Sequence, residues 1–137
     1  MSTTATLSEA EARLFAEGRH FGTLATTRSD GSPHATPVWV DYDGANVLIN
    51  TAQGRAKYRH IKRDPRVAIS VFSEDDHEAY VTVSGVAEIV DEGQAAWDHI
   101  DKLHRKYRDE GDQFARGGPQ RVLVRIRPTR VYSEELD

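Results

Sequence analysis

The stretch that decides the fold is Val47-Leu-Ile-Asn50-Thr-Ala-Gln-Gly54-Arg-Ala-Lys-Tyr-Arg-His-Ile-Lys-Arg-Asp64-Pro-Arg66. Its apolar run 47–49 predicts a strand, and the following Gly54 predicts a turn. Ala56, Tyr58 and Ile61 have the spacing of one helical face, which Asp64-Pro65 would end. The stretch therefore predicts a strand, a tight turn and a short helix.

The same stretch is rich in positive charge and contains the single acid Asp64. Thr51, Gly54, Arg55 and Lys57 fall around the predicted first turn, where unpaired backbone N–H groups and the helix dipole already create a positive field. Cations placed there cost about 0.3–1 kcal/mol each unless an anion binds. This arrangement favours a phosphate site, although it is not a P-loop because the Gly-Lys-Ser/Thr ending is absent.

A second interpretation of these charges is a solvated helix face. It would explain a stripe of cations at helical spacing, formed by Arg55, Arg59, Lys62, Arg63 and Arg66. Lys57 lies off that stripe and favours the anion site. From the residues alone both interpretations stay open.

Length and composition limit the possible functions. A chain of 137 residues predicts one domain, 1–137. The net charge of −4 argues against a nucleic-acid partner, and the lack of cysteine excludes disulfides and thiolate chemistry. No apolar run approaches the ~18–20 residues that span a bilayer, and the N-terminus lacks the form of a signal peptide. We therefore expect a cytoplasmic protein without a membrane segment.

The first half of the chain predicts one helix and three strands. Ser8 and Glu11 form a capping box that begins a helix over about 8–17. Alternating segments at 21–27, 34–42 and 46–51 predict three antiparallel strands, separated by turn signals at 29–32 and Asp43-Gly44. Pro37 lies within the second strand and indicates an edge, a bulge or backbone exposed to a ligand.

The second half adds strands at 67–72, 80–90 and 121–126, with Gly85 indicating a bulge or a sharp bend. Asp91 is expected to cap a helix whose apolar face carries Trp97, Ile100, Leu103 and Tyr107. Residues 109–119 predict a loop, and Pro128 a bend before a last short run at 130–132. The fold class predicted is mainly β, a six-stranded antiparallel barrel with peripheral helices.

Few residues suggest direct catalysis. The six histidines are dispersed, so no metal site is expected, and no hydrolase motif is present. No catalytic residue is therefore assigned. Trp39, two residues after Pro37, either walls a planar ligand or is a core or interface tryptophan, and Tyr80 has the same two interpretations.

The order of motifs resembles a known family. The motifs are Phe21-Gly-Thr-Leu-Ala-Thr-Thr-Arg-x-Asp-Gly-Ser-Pro-His-x-Thr-Pro-Val-Trp39, then Ile49-Asn-Thr-Ala-Gln-Gly-Arg-Ala-Lys-Tyr-Arg59, then Arg63-Asp-Pro-Arg-Val-Ala68. They resemble the flavin-binding split β-barrel superfamily of pyridoxamine phosphate oxidase. Within it, they are similar to the branch of deazaflavin reductases that use coenzyme F-420. The resemblance covers 21–131.

The resemblance implies a homodimer with two cofactor sites at the subunit interface. It implies that Arg55 and Lys57 bind the cofactor phosphate, with further contacts from Asn50, Thr51, Gln53 and Gly54. It also implies that one side of the cofactor ring lies against Thr36, Pro37, Val38 and Trp39. The partner subunit would contribute Tyr80 to the site.

The resemblance also implies the chemistry. The expected cofactor is coenzyme F-420, an 8-hydroxy-5-deazaflavin, with FMN as the alternative. The expected reaction passes a hydride to a small electron-poor substrate such as an enone, quinone or tetrapyrrole. Arg59, Lys62 and Arg63 would suit the polyglutamyl tail of F-420, beyond what FMN requires.

Two alternatives remain, an FMN-dependent flavoprotein and a binding module without turnover. The C-terminal arginine and histidine pattern by which true pyridoxamine phosphate oxidases hold their substrate is absent. Vitamin B6 oxidation is therefore disfavoured.

Overall fold

A computed structural model of the chain describes residues 4–108 and 113–136. Its helices and strands are α1 (Glu9–Ala16), β1 (Gly22–Thr27), β2 (Pro33–Val38), β3 (Asp41–Tyr42), β4 (Val47–Ala52), α2 (Ala56–Arg63), β5 (Arg66–Phe72), β6 (Tyr80–Asp91), α3 (Gln94–Tyr107) and β7 (Arg121–Glu134). Part of the loop predicted over 109–119, residues 109–112, lies outside the described residues.

The strands form one antiparallel sheet in the order β2-β1-β5-β6-β7-β4-β3. The predicted fold class, an antiparallel barrel with peripheral helices, is confirmed, with seven strands in the described residues rather than six. The difference arises because the strand predicted over 34–42 is interrupted at Trp39 and Val40. Its two parts, β2 and β3, lie at opposite edges of the sheet, which agrees with the edge position that Pro37 indicates.

The short connection between β2 and β3 forces the sheet to curl. Three residue steps from Val38 to Asp41 span at most about 11 Å. Seven strands side by side in a flat sheet would place the two edges about 29 Å apart. The sheet must therefore close on itself, and the barrel is split between β2 and β3.

The bulge predicted at Gly85 is confirmed. The register between β6 and β7 jumps from Ser84↔Arg130 to Gly85↔Pro128, so Thr129 has no opposite residue. A Cβ atom at Gly85 would lie 2.4 Å from the carbonyl oxygen of Arg127, which only glycine avoids. The strand predicted over 121–126 and the short run predicted at 130–132 are joined in one continuous β7, because the bulge accommodates Pro128 between them.

Two helices begin as the sequence predicts. In α1 the Glu11 N–H donates to Ser8 Oγ at 3.2 Å and the Ser8 N–H donates to Glu11 Oε1 at 2.8 Å, which completes the capping box. Asp91 Oδ2 accepts the Gly93 and Ala96 N–H groups at 2.9 Å each, although Gly93 itself is the N-cap residue of α3.

The core lies between the curled sheet and the helices, and α3 covers the barrel with the apolar face predicted for it. Ile100, Leu103 and Tyr107 are buried, and Trp97 packs partly buried against the same core. The gap between β2 and β3 lies beside α3 and the start of α2. A cavity opens at this place.

Candidate functional site

The cavity has a volume of about 340 Å³ and combines apolar, aromatic and cationic side chains. It is formed by the end of β2, the end of β4, the start of α2, the middle of α3 and the start of β7. The lining residues are Phe21, Pro37, Val38, Trp39, Asn50, Thr51, Arg55, Lys57, Ile100, Leu103, Phe114 and Arg121. Most of the residues proposed from the sequence are thus brought to one place.

The start of α2 contributes a local positive field. Gly54 adopts φ +91°, a left-handed conformation that turns the chain sharply out of β4. Arg55 is the N-cap residue rather than part of the first turn as predicted, and its side chain makes no capping hydrogen bond. The first turn also contains no acidic residue, so its N–H groups and dipole are not balanced from within the helix.

Two of the three cations in the cavity have their charged forms disfavoured by their surroundings. Burial, followed by repulsion from Arg55 and Arg121, lowers the pKa of Lys57. Burial, followed by repulsion from Arg55, lowers the pKa of Arg121 to about 10. None of the described residues that line the cavity is acidic. Because partly buried like charges without a counterion are costly, this cavity favours an anionic ligand.

Arg121 is held from two sides. Its Nε–H donates to Asn50 Oδ1 at 2.9 Å, and its guanidinium carbon lies 4.7 Å from the centroid of the Phe114 ring. Sequence reasoning missed both Arg121 and Phe114 as site residues. The pairing of Ala52 with Arg121 between β4 and β7 brings Arg121 to the cavity, and no local pattern reveals that pairing.

Trp39 packs partly buried against the core and also lines the cavity, and its role as a wall for a ligand stays a prediction. Its ring stacks on Tyr107 with centroids 5.3 Å apart and an interplanar angle of 4°, and it lies 6.0 Å from His104. The same indole lines the cavity together with Phe21 and Phe114. The stack fixes the ring plane and leaves an aromatic wall beside the cations.

Four of the proposed site residues do not line the main cavity; they are Thr36, Gln53, Gly54 and Tyr80. Thr36 lines a smaller neighbouring recess, shared with Arg55 and Lys57. Gln53 Nε2 donates to Glu92 at 2.8 Å, so its amide is engaged at the surface. Tyr80 lines neither space and lies at the start of β6, with its ring 6.2 Å from that of Tyr132.

Three cations of the basic stripe are directed away from the cavity. Arg59 donates to the Gly54 carbonyl oxygen at 2.9 Å, Lys62 to the Tyr58 hydroxyl at 3.3 Å, and Arg63 to the Thr27 carbonyl oxygen. None of these three lines the cavity. The positive charge inside it comes instead from Arg55, Lys57 and Arg121.

The family model of pyridoxamine 5′-phosphate oxidase matches residues 8–134. The chain belongs to the pyridoxamine 5′-phosphate oxidase family. This confirms the resemblance seen in the motifs. Among the helices of the described residues, none has the length and apolar character needed to cross a membrane.

Solved structures with similar sequences agree with this assignment. An F-420 reductase is 31% identical with a TM-score of 0.80, and the match covers 92% of this chain and 98% of that one. A conserved hypothetical protein from Mycobacterium tuberculosis is 29% identical with a TM-score of 0.74, covering 96% and 87%. The family is thus one of flavin or deazaflavin oxidoreductases with an F-420 reductase among its members.

A more distant solved structure shares the fold. It is a putative pyridoxamine 5′-phosphate oxidase from Listeria innocua, which is 21% identical with a TM-score of 0.63, and the match covers 82% of this chain and 86% of that one. At this identity the match supports the architecture only.

Proposed function

We propose that the chain is an F-420-dependent reductase that passes a hydride from the reduced deazaflavin to a small electron-poor organic molecule such as an enone, quinone or tetrapyrrole. The observation that carries the proposal is the cavity in which three cations meet an aromatic wall, with no acidic side chain among the described residues that line it. A ligand with a phosphate and a planar ring fits that combination. The similarity to an F-420 reductase supports the choice of cofactor.

Arg55, Lys57 and Arg121 would hold the phosphate, together with the N–H groups of the first turn of α2. The Thr51 hydroxyl would add a hydrogen bond, because this residue lies between Asn50 and the turn at Gly54 and lines the cavity. The left-handed turn at Gly54 gives the ligand close access to the backbone. Gln53 would act indirectly, since its side chain bonds to Glu92.

Pro37, Val38 and Trp39 would lie against the ring, and Thr36 would contact the phosphate side from the neighbouring recess. Ile100, Leu103 and Phe114 would exclude water from the ring's surroundings. When bound, the cofactor supplies the hydride chemistry, and the chain binds and orients it. No acid and base pair is needed from the protein for that task.

The proposed functional unit is a homodimer with the cofactor at the interface. Phe72 and Tyr132 are 43% and 54% exposed near the ends of β5 and β7, the two strands on either side of β6. Tyr80 lies beside Tyr132 and would face the partner subunit. The cytoplasmic location expected from the sequence stays a prediction.

FMN is the second candidate cofactor. Because Arg59, Lys62 and Arg63 bond to other parts of the chain, the cavity itself offers no more positive charge than a single phosphate can use. That observation favours a ligand without a long anionic tail. A binding module that holds either cofactor without turnover is the remaining alternative.

Side-by-side titrations of reduced F-420 and FMN at two ionic strengths test the proposal. We expect F-420 to bind more tightly than FMN, in line with the similarity to an F-420 reductase, and high salt to weaken both, because cations of the cavity bind an anion in either case. We then expect a panel of quinones and enones to oxidise the bound reduced F-420. The change in the absorbance of the cofactor measures this reaction. Tighter FMN binding, or protein that purifies yellow with FMN, would assign the chain to the flavin oxidase branch. F-420 binding without turnover would leave a binding module.

A further inference from the structure

We infer that Asn50 is a positioning residue that fixes the guanidinium of Arg121 in the cavity, and that His99 and Asp41 in turn fix Asn50. The inference rests on the proposed function in that Arg121 is taken to hold the anionic part of the cofactor. It changes the role of Asn50, which the family resemblance places among the cofactor-binding residues. The side chain of Asn50 has its bonding groups occupied by the protein.

The orientation of the Asn50 amide is determined by its neighbours. Its Nδ2 group donates to the Ala96 carbonyl oxygen at 2.9 Å and lies 3.1 Å from His99 Nδ1. Its Oδ1 accepts the Arg121 Nε–H at 2.9 Å. In the reversed orientation the NH₂ group would face the N–H of Arg121, and the oxygen would face the carbonyl of Ala96. Only the observed orientation pairs every donor with an acceptor.

His99 is held in the tautomer that Asn50 requires. Its Nε2 lies 3.2 Å from Asp41 Oδ2, and Lys102 Nζ lies 3.0 Å from the same oxygen. Asp41 and His99 are 3% and 8% exposed. A buried carboxylate accepts hydrogen bonds, so Nε2 carries the proton and Nδ1 is left to accept from Asn50. The hydrogen-bonded series Asp41–His99–Asn50–Arg121 therefore has one consistent assignment of donors and acceptors.

Arg121 depends on this anchor more than an ordinary surface arginine would. It is partly buried and repelled by Arg55, so both effects favour turning its charge out to solvent. Asn50 bonds to its Nε, and Phe114 packs on its face. Within the described residues, no group bonds to its two terminal amino groups. These are the groups with which an arginine binds a phosphate or carboxylate in a bidentate manner. Asn50 thus bonds to the Nε side of the guanidinium and leaves its two terminal amino groups for a ligand.

The first test does not depend on any ligand. Solvent exchange of the Arg121 Nε–H is measured by ¹⁵N NMR in the whole protein, and an Arg121→Lys variant assigns the signal. We expect Asn50→Ala to speed this exchange about ten-fold or more, because the hydrogen bond that protects the proton is lost. Asn50→Asp retains an acceptor and should keep the exchange slow. Asn46→Ala is the matched control, since that asparagine bonds to Asp43 in a loop outside the cavity.

The same measurement tests the role of Asn50 separately from that of His99 and Asp41. His99→Gln should speed Arg121 Nε–H exchange several-fold, because the amide of Asn50 loses the acceptor that helps to set its orientation. Unchanged exchange in Asn50→Ala would overturn the positioning role. Unchanged exchange in His99→Gln alone would remove His99 and Asp41 from it.

The second test is a double-mutant cycle on F-420 binding, measured by calorimetry. We expect Arg121→Ala to weaken binding about ten-fold or more and Asn50→Ala about five-fold. If Asn50 acts through Arg121, Asn50→Ala should add almost nothing in the Arg121→Ala background. Full additivity would mean that Asn50 contacts the ligand itself. If wild-type protein binds no F-420, the proposed cofactor fails while the exchange measurement still decides the role of Asn50.

Discussion

The hydroxyl oxygen of Tyr107 accepts the backbone N–H of Val40 at 3.0 Å, although the two residues are 67 positions apart in the chain. Val40 lies in the connection between β2 and β3, where the barrel is split. The same hydroxyl donates to the His20 carbonyl oxygen at 2.7 Å, and Lys106 Nζ donates to the Val40 carbonyl oxygen at 2.7 Å. The end of α3 therefore supplies the hydrogen bonds that a neighbouring strand would otherwise give to Val40.

We expect Tyr107→Phe to lower the free energy of unfolding by about 1–3 kcal/mol, because the buried N–H of Val40 loses its acceptor. Burial raises the pKa of Tyr107 to about 12, so the hydroxyl keeps its proton under ordinary conditions. Urea denaturation measures the change. Tyr58→Phe is the matched control, since its hydroxyl donates to Glu92 at an exposed site and its loss should matter little. Equal effects of the two substitutions would contradict the role given to Tyr107.

Lys57→Ala should weaken cofactor binding about ten- to a hundred-fold, because a hydrogen bond to a charged group contributes about 1.5–3 kcal/mol. The fold should be unaffected, and relief of the repulsion with Arg55 and Arg121 would even favour the free protein. Lys62→Ala is the control, since this lysine on the same helix bonds to Tyr58 outside the cavity. Calorimetric titration with equal losses in both variants would show that α2 attracts the ligand only through its overall charge.

Much of the fold could be predicted because its signals are local. The capping box at Ser8, the strand–turn–helix around Gly54 and the bulge at Gly85 each follow from residues within one short segment. The division of 34–42 into two edge strands could not be predicted, since it depends on how the whole sheet closes. Arg121 was missed for the same reason, because its place beside Asn50 depends on the pairing of β4 with β7.

The charge pattern of α2 shows a second limit of the sequence. Helical spacing correctly placed Arg59, Lys62 and Arg63 outside the helix's buried face, yet it could not show which backbone carbonyls and hydroxyls they would bind. Those partners come from Gly54, Thr27 and Tyr58. The cations that meet in the cavity are instead Arg55 and Lys57 at the start of α2 and Arg121 from β7, a strand nearly half the chain length away.

Asp41→Asn should remove part of the acid sensitivity of the protein. Burial alone would raise the pKa of Asp41, but hydrogen bonds from His99 and Lys102 outweigh it and lower the pKa from 3.8 to about 2. The folded state therefore binds this proton less readily than the unfolded state does. The resulting stability is present above about pH 4 and is lost as the pH falls to about 2.

The size of this contribution follows from the shift and is about 2 kcal/mol. Urea denaturation of both proteins between pH 2 and 7 measures it. We expect the variant to be less stable at neutral pH, and its difference from the wild type to shrink as the pH approaches 2. A difference that stays constant across this range would show that the ionised carboxylate contributes nothing specific.

The exposed rings of Phe72 and Tyr132 should form part of a homodimer interface. Both are about half exposed, Phe72 pairs with Tyr80 across β5 and β6, and Tyr80 lies beside Tyr132. Aromatic rings of this kind are enriched at the centres of protein interfaces. We therefore expect light scattering at micromolar concentration to give twice the mass of the chain, and Phe72→Lys or Tyr132→Lys to shift the protein towards the monomer.

Val90→Lys is the control for added charge at an exposed apolar position. Val90 is 42% exposed and lies on the same strand as Tyr80, about 33 Å further along at the usual rise per residue. If the cofactor site is shared between subunits, F-420 affinity should fall in the two interface variants and not in Val90→Lys. A wild-type monomer, or variants that dissociate without losing affinity, would show that each subunit binds its cofactor alone.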